Sequence, residues 1–166
     1  MTIHALILVV KRVPCSVIRS YGVYSCHMET WTCHTDGGAR GNPGPSGIGV
    51  VIDSPKGERR ETSQFLGNGT NNYAEYAAVA LALNEVKKIL GKRTKEILVH
   101  IKLDSELVKK QLSGEYQIKE PSLVPLFIEI HNLRVSSFPH IQFTHIPREQ
   151  NKDADRLANE AMDRGH

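Results

Sequence analysis

The stretch Thr35-Asp36-Gly37-Gly38-Ala39-Arg40-Gly41-Asn42-Pro43-Gly44-Pro45-Ser46-Gly47 begins with a single carboxylate and then packs five of the chain's 13 glycines into eleven residues. A strand pattern leads into it from Trp31 to Thr35, and another leaves it from Ile48 to Ile52. It therefore predicts a β-hairpin with this stretch as the turn. Glycines here permit positive φ and let the backbone come close to something outside the protein. Taken alone, the stretch reads equally well as a long Asp-Gly hairpin turn. The choice rests on whether later carboxylates can meet Asp36 in space.

Outward from this hairpin the pattern is regular. Strand one is expected over Thr30–Thr35, strand two over Gly47–Asp53 and strand three from about Glu58 to Leu66, with Ser54-Pro55-Lys56-Gly57 as the intervening turn. Short turns make the three an antiparallel meander. Thr70-Asn71-Asn72 opens a helix rich in alanine and leucine that runs to about Leu90 and stops at Gly91. Glu96–Leu103 is the most strand-like segment of the chain. Strand, long helix and strand in succession imply a right-handed crossover, so this strand is expected parallel to one of the meander. Asp104 to about Leu112 and Leu123 to Leu133 read as two further helices, and His140–Ile146 as a last strand. Asn151 to Arg164 closes the fold as a helix, its apolar stripe at Ala154, Leu157, Ala158, Ala161 and Met162. The fold class is α/β, in layers, with a mixed sheet.

A chain of 166 residues with 40% hydrophobic and 23% charged residues is long enough for a single buried core. A net charge of +3 permits a polyanionic partner without demanding one. Cys15, Cys26 and Cys33 are too few for a disulfide framework and point to a reducing cytoplasm. Cys26-His27 and Cys33-His34 match no common zinc-finger spacing, and neighbours in a strand face opposite ways. No run approaches the ~18 apolar residues of a membrane helix. Ala5–Val10 resembles a signal h-region, but no positive residue precedes it and Lys11-Arg12 follow at once, which speaks against secretion. Residues 1–29 read as an N-terminal extension, and Met28 as a candidate natural start, with residues 30–166 forming the domain. A native N-terminal peptide beginning at Met1 would refute that start.

Several acids fall where such a fold gathers them. Asp36 ends strand one, and Glu75 lies early in the long helix on the apolar stripe of Ala78, Val79, Ala82 and Val86. A buried ionised carboxylate costs several kcal/mol unless it is paired, protonated or bound to metal. Taken on its own, Glu75 reads better as part of a capping box, with Asn72 as N-cap and Glu75 at N3. Asp104 sits where a strand becomes a helix, which suits either an N-cap or a ligand site at the carboxyl end of a strand. Asp153 and Asp155 both open the last helix, where acids suit the dipole, and periodicity does not choose between them. Several acids beside a glycine loop suit magnesium or manganese, since hard cations take oxygen ligands. Walker-type and dinucleotide loops, the serine-hydrolase elbow, HExxH and catalytic cysteine patterns are absent from the sequence.

Four motifs together resemble type 1 ribonuclease H (RNase HI): Thr-Asp-Gly-Gly-Ala-Arg-Gly-Asn-Pro-Gly-Pro (35–45), Thr-Asn-Asn-x-Ala-Glu-Tyr-x-Ala (70–78), Asp-Ser-Glu-Leu-Val (104–108) and Asn-x-x-Ala-Asp-x-Leu-Ala (151–158). They run in the family's order and span about residues 30–164. The resemblance implies the ribonuclease H-like three-layer fold: a five-stranded mixed sheet, antiparallel over strands 1–3 and then parallel, with helices on both faces. It implies an endonuclease that hydrolyses the RNA strand of RNA–DNA hybrids with two Mg²⁺ ions, Mn²⁺ being an alternative, to leave 5′-phosphate and 3′-hydroxyl ends. The acid series carries over to Asp36, Glu75, Asp104 and Asp155, the motif register choosing Asp155 over Asp153. Gly38, Gly41, Asn42 and Asn72 are implied in sugar and base-edge contacts and Thr70 in a phosphate contact, while a turn residue and a helix cap are the local alternatives for Asn42 and Thr70. An ungapped match places a catalytic histidine at His145, with Arg148 the alternative group near the leaving oxygen. The segment from Ser113 to Glu120 lacks the family's basic, tryptophan-bearing protrusion, as in its protrusion-less prokaryotic subgroup, so Lys109, Lys110 and Lys119 are left as candidate phosphate contacts. A monomeric, cytoplasmic enzyme with no membrane association is expected.

Overall fold

The computed structural model describes residues 28–165. The expectations for residues 1–27, including the Cys26-His27 pair, lie outside the described residues. The elements are β1 (Thr30–Ala39), β2 (Gly44–Asp53), β3 (Arg59–Gly69), α1 (Asn71–Leu90), β4 (Leu98–Leu103), α2 (Glu106–Leu112), α3 (Val124–Ser136), β5 (Ile141–His145) and α4 (Lys152–Arg164), with single 3₁₀ turns between several of them. The sheet order is β3-β2-β1-β4-β5. The β1–β2 and β2–β3 pairs are antiparallel, whereas β1–β4 and β4–β5 are parallel. This is the five-stranded mixed sheet the sequence implied.

Strand alternation sorts the two faces. Trp31 and Cys33 on β1, and Val50 and Ile52 on β2, join one apolar cluster with Val79, Leu83 and Val86 of α1, Val108 of α2 and Leu133 of α3. Full burial of a side chain such as Leu83 contributes about 1.5–3 kcal/mol. The other face of β2 meets α4, and here the glycines act as spacers. A Cβ on Gly49 would lie 2.1 Å from the Ala154 carbonyl oxygen, and one on Gly47 would lie 2.7 Å from that of Ala158. Gly37 does the same for α1, since its Cβ would fall 2.2 Å from the Ala74 carbonyl carbon. α1, α2 and α3 thus cover one face and α4 the other, in three layers. Among the described residues no helix is long and apolar enough to cross a membrane.

Three expectations are corrected. The glycine-rich stretch is mostly strand: Asp36 pairs with Gly49 within β1, and only residues 40–43 form the turn, closed by Arg40 N donating to Pro45 O at 2.8 Å. Gly41 takes φ +98 in that turn, which a side chain would oppose. Pro and Gly suggested a long loop, but Gly44 and Pro45 still pair with Gly69 and Asn68 on β3. Second, Asn72 does not cap α1; Thr70 does, its hydroxyl accepting from Tyr73 N at 3.2 Å. Glu75 is therefore two residues further in than the N3 position a capping box requires. Third, Asp104 does not cap α2, because Ser105 accepts from Val108 N in its place.

Candidate metal centre

The parallel pairing of β1 with β4 stops at Thr35 and Leu103. β1 continues to Ala39 paired only with β2, so its other edge is open beyond Thr35. β4 turns there into α2, and α1 starts beside the same edge, its backbone against Gly37. Asp36, Glu75 and Asp104 are thereby delivered to one point from a strand, a helix and a strand end. Each offers a carboxylate oxygen, and these oxygens lie within 4.8 Å of one another. They line a cleft of about 620 Å³ that also includes Gly37, Gly38, Asn72, Arg148 and Asp155.

The local corrections are what free these carboxylates. With Ser105 serving as cap, Asp104 Oδ1 is buried without a hydrogen-bond partner, and so is Glu75 Oε2. Burial pushes the Asp36 carboxyl up to about 7, reinforced by the charges of Asp104 and Asp155 and eased by Arg148. Glu75 is held well above the ordinary carboxylate range, first by burial and then by Asp36 and Asp104. Orphaned, mutually repelling oxygens of this kind stay protonated or take a cation. The donor set is all oxygen, which suits a hard divalent ion. The residues present therefore fit Mg²⁺ or Mn²⁺.

Asp155 reaches the cleft from α4, on the other face of the sheet, and lies outside the group of three close oxygens. Arg148 forms a salt bridge with it at 2.5 Å. Asp153, which periodicity alone left equal to Asp155, points elsewhere and pairs with Arg59. The placement of Asp155 depends on Asn151, which is buried. Asn151 Nδ2 donates to the Thr35 carbonyl at 2.9 Å, and the backbone carbonyl of Asn151 accepts from Asp155 N at 3.0 Å. One residue thus couples the strand of Asp36 to the helix of Asp155.

The implied contacts divide. Gly38 and Asn72 line the cleft, and a Cβ on Gly38 would meet nothing closer than 3.8 Å. Gly41, Asn42 and Thr70 are not among the residues lining it. Asn42 Oδ1 accepts from Asn71 N at 3.2 Å, and Thr70 caps α1. His145 is exposed at the end of β5 and is not among the cleft residues. Arg148 lies in the cleft where His145 does not. Lys109 is tied to Glu115, and Lys110 to Glu106 with its ammonium 4.9 Å from the Tyr116 ring centre. Sequence reasoning passed over Asn71, whose Oδ1 accepts from Ala39 N at 2.8 Å and which lines the cleft with Arg40, Ser105 and Asn159. Its place beside Asn72 in the Thr-Asn-Asn motif was the available signal. Asn151 carried a signal too, as the first residue of the last motif.

Comparison with known proteins places this geometry among relatives. Residues 34–161 match a family model described as reverse transcriptase-like. The chain is 41% identical over 130 residues to the bifunctional protein Rv2228c of Mycobacterium tuberculosis, covering 77% of this chain and 34% of that one. It is 38% identical over 129 residues to ribonuclease HI of Halobacterium salinarum, covering 77% of this chain and 62% of that one. The match thus spans about a third of the first relative and under two thirds of the second. Among solved structures, LC11-RNase H1 in complex with an RNA/DNA hybrid superposes with a TM-score of 0.77 at 44% identity, covering 81% of this chain and 98% of that one.

Proposed function

This chain belongs to the type 1 ribonuclease H family, and from that premise we propose that it is an endonuclease cleaving the RNA strand of RNA–DNA hybrids. The observation that carries the reading is the convergence of Asp36, Glu75 and Asp104 in an open cleft, with buried carboxylate oxygens that have no protein partner. A non-catalytic nucleic-acid binder gains nothing from such a cluster, because it repels phosphate. The hybrid seen with LC11-RNase H1 supports the same substrate class.

Asp36, Glu75, Asp104 and Asp155 would hold two divalent cations, Mg²⁺ in the first instance. Bound there, such ions supply Lewis-acid stabilisation of charge on the phosphoryl oxygens and favour ionisation of the attacking water. The chain's own residues do the rest. Gly38 presents unobstructed backbone to the substrate, and Asn71 and Asn72 present amides at the start of α1, where 2′-hydroxyls that only RNA offers can be read. Arg148, paired with Asp155, places a permanent cation where charge leaves the broken bond, and we assign it the assisting role in preference to His145. The products would carry 5′-phosphate and 3′-hydroxyl ends. Cys33 is buried as a free thiol and raised to about 12, inert in keeping with a reducing cytoplasm.

The test is cleavage of labelled RNA–DNA hybrid, duplex RNA and duplex DNA, each with Mg²⁺, Mn²⁺ or EDTA. Metal-dependent cutting of the hybrid RNA strand alone is expected, and it should be abolished in Asp36→Asn. Hybrid left intact with both metals, or cleavage unchanged in that variant, would overturn the assignment.

A further inference from the structure

The far end of α1 carries charge that the cleft does not use. Lys87, Lys88, Lys92, Arg93 and Lys95 fall within nine residues that contain no acid, and all five are exposed. Lys56, from the turn between β2 and β3, lines a hollow of about 170 Å³ together with Arg93 and the acids Glu29 and Glu58. A helix C-terminus favours cations, which accounts for Lys87 and Lys88 in the last turn. It does not account for Lys92, Arg93 and Lys95, which follow Gly91 in a separate 3₁₀ turn. Lys88 pairs with Glu85, and Arg93 with Glu29. Among the described residues, Lys56, Lys87, Lys92 and Lys95 have no ion-pair partner. Elsewhere, Arg40, Arg59, Lys109, Lys110, Arg148 and Arg156 sit in salt bridges, and the cations without an ion-pair partner among the described residues, such as Arg60, Lys102 and Lys152, do not fall in one short run of sequence.

We propose that this basic end of α1 is a second nucleic-acid site, which holds a single strand continuing beyond the duplex seated in the cleft. The proposal rests on the nuclease reading above and adds a place for substrate outside the scissile region. Twelve residues of helix separate Glu75 from Lys87, about 18 Å at 1.5 Å per residue. That exceeds the ~8 Å screening length at physiological salt, so the acids of the cleft do not cancel the attraction of the patch. The acids of the cleft are committed to cations, and the segment from Ser113 to Glu120 carries Glu115 and Glu120 against Lys119 alone, so neither supplies the long-range attraction that a lysine patch does. Duplex DNA is stiff over ~150 bp and does not bend around one small domain. A flexible single strand does, and lysines recognise its backbone without regard to sequence.

The experiment compares a short blunt hybrid with the same hybrid bearing a long single-stranded tail, using the whole chain and the triple variant Lys87→Glu, Lys92→Glu and Lys95→Glu. For the tailed substrate the variant should raise KM about ten-fold with kcat unchanged, and flatten the dependence of log KM on log salt by roughly 0.7 for each of three lost contacts. The blunt substrate should be cut alike by both proteins. Equal changes on both substrates, or no change on either, would overturn the proposal. So would binding of anionic phosphatidylserine vesicles that depends on the three lysines without any effect of the tail, which would assign the patch to a membrane surface. If the unmodified chain cuts neither substrate, the nuclease reading fails on its own. Fluorescence anisotropy of the labelled tail then decides the patch: tail affinity lost in the triple variant supports it, and unchanged affinity overturns it.

Discussion

Replacing Asp36 with asparagine should stabilise the metal-free protein while destroying its activity. Asparagine has nearly the shape of aspartate and carries no charge. The folded Asp36 carboxyl titrates at about 7 against an ordinary 3.8, because it is buried beside Asp104 and Asp155. A gap of that size corresponds to about 4 kcal/mol once the group is forced to ionise in the folded state. The sign follows from proton binding. Between those two pH values the folded chain holds more protons than the unfolded one, so stability falls as pH rises. The contribution of a neutral Asp36 is complete below about pH 4 and lost on passing pH 7. The advantage of Asp36→Asn should therefore be absent near pH 4 and grow to several kcal/mol at pH 8.5, a rise in Tm on the order of 10 °C for a domain of this size. Millimolar Mg²⁺ should raise the Tm of the unmodified protein and leave the variant much less affected, narrowing the gap. Thermal or urea unfolding in EDTA and in Mg²⁺, at pH 4, 6 and 8.5, measures all of this. An advantage that is absent at pH 8.5 in EDTA, or that is the same at every pH, would refute the argument.

The glycines separate structural from substrate roles. Gly37→Ala should cost several kcal/mol or prevent folding, since its Cβ meets the α1 backbone at 2.2 Å, whereas Gly38→Ala should leave the stability within about 1 kcal/mol and raise KM for the hybrid. Asn151→Ala removes the side-chain donor to the Thr35 carbonyl, for a loss of about 1–3 kcal/mol by urea unfolding, and kcat should fall with it because the start of α4, which carries Asp155, loses its tie to β1. Arg148→Ala should lower kcat at least ten-fold with little change in Tm, while His145→Ala should change kcat less than three-fold, because only Arg148 lies in the cleft. Steady-state assays of both variants at fixed Mg²⁺ would show the reverse order if the histidine assisted catalysis.

The order of elements was legible because hydrophobic periodicity is a property of each segment: Glu96–Leu103 read as a strand, and Leu98–Leu103 is one. The acid positions were legible through their motifs, but their local roles were not. Asn72 and Asp104 are both good helix caps, yet Thr70 and Ser105 cap instead, and only the relative placement of α1, α2 and β1 decides between adjacent residues of similar chemistry. The glycines misled in an instructive way. Composition announced a loop open to substrate, whereas Gly37, Gly47 and Gly49 face helices, a contact that depends on residues more than thirty positions away. Periodicity could not choose Asp155 over Asp153 either, since Arg59 of a distant strand draws Asp153 aside.

The bond from Asn151 to Thr35 spans 116 positions of sequence, and it ties together the first and last of the four acids. Closing so long a loop is entropically expensive and is deferred until nearby contacts have formed. The meander and its crossover helix assemble through contacts much closer in sequence, such as Gly37 against Ala74, but the fourth carboxylate arrives only when the final helix docks. Partly folded chains would thus neither capture metal properly nor nick nucleic acid. In a refolding experiment, the appearance of hydrolysis should lag the recovery of helical signal and mark the last step.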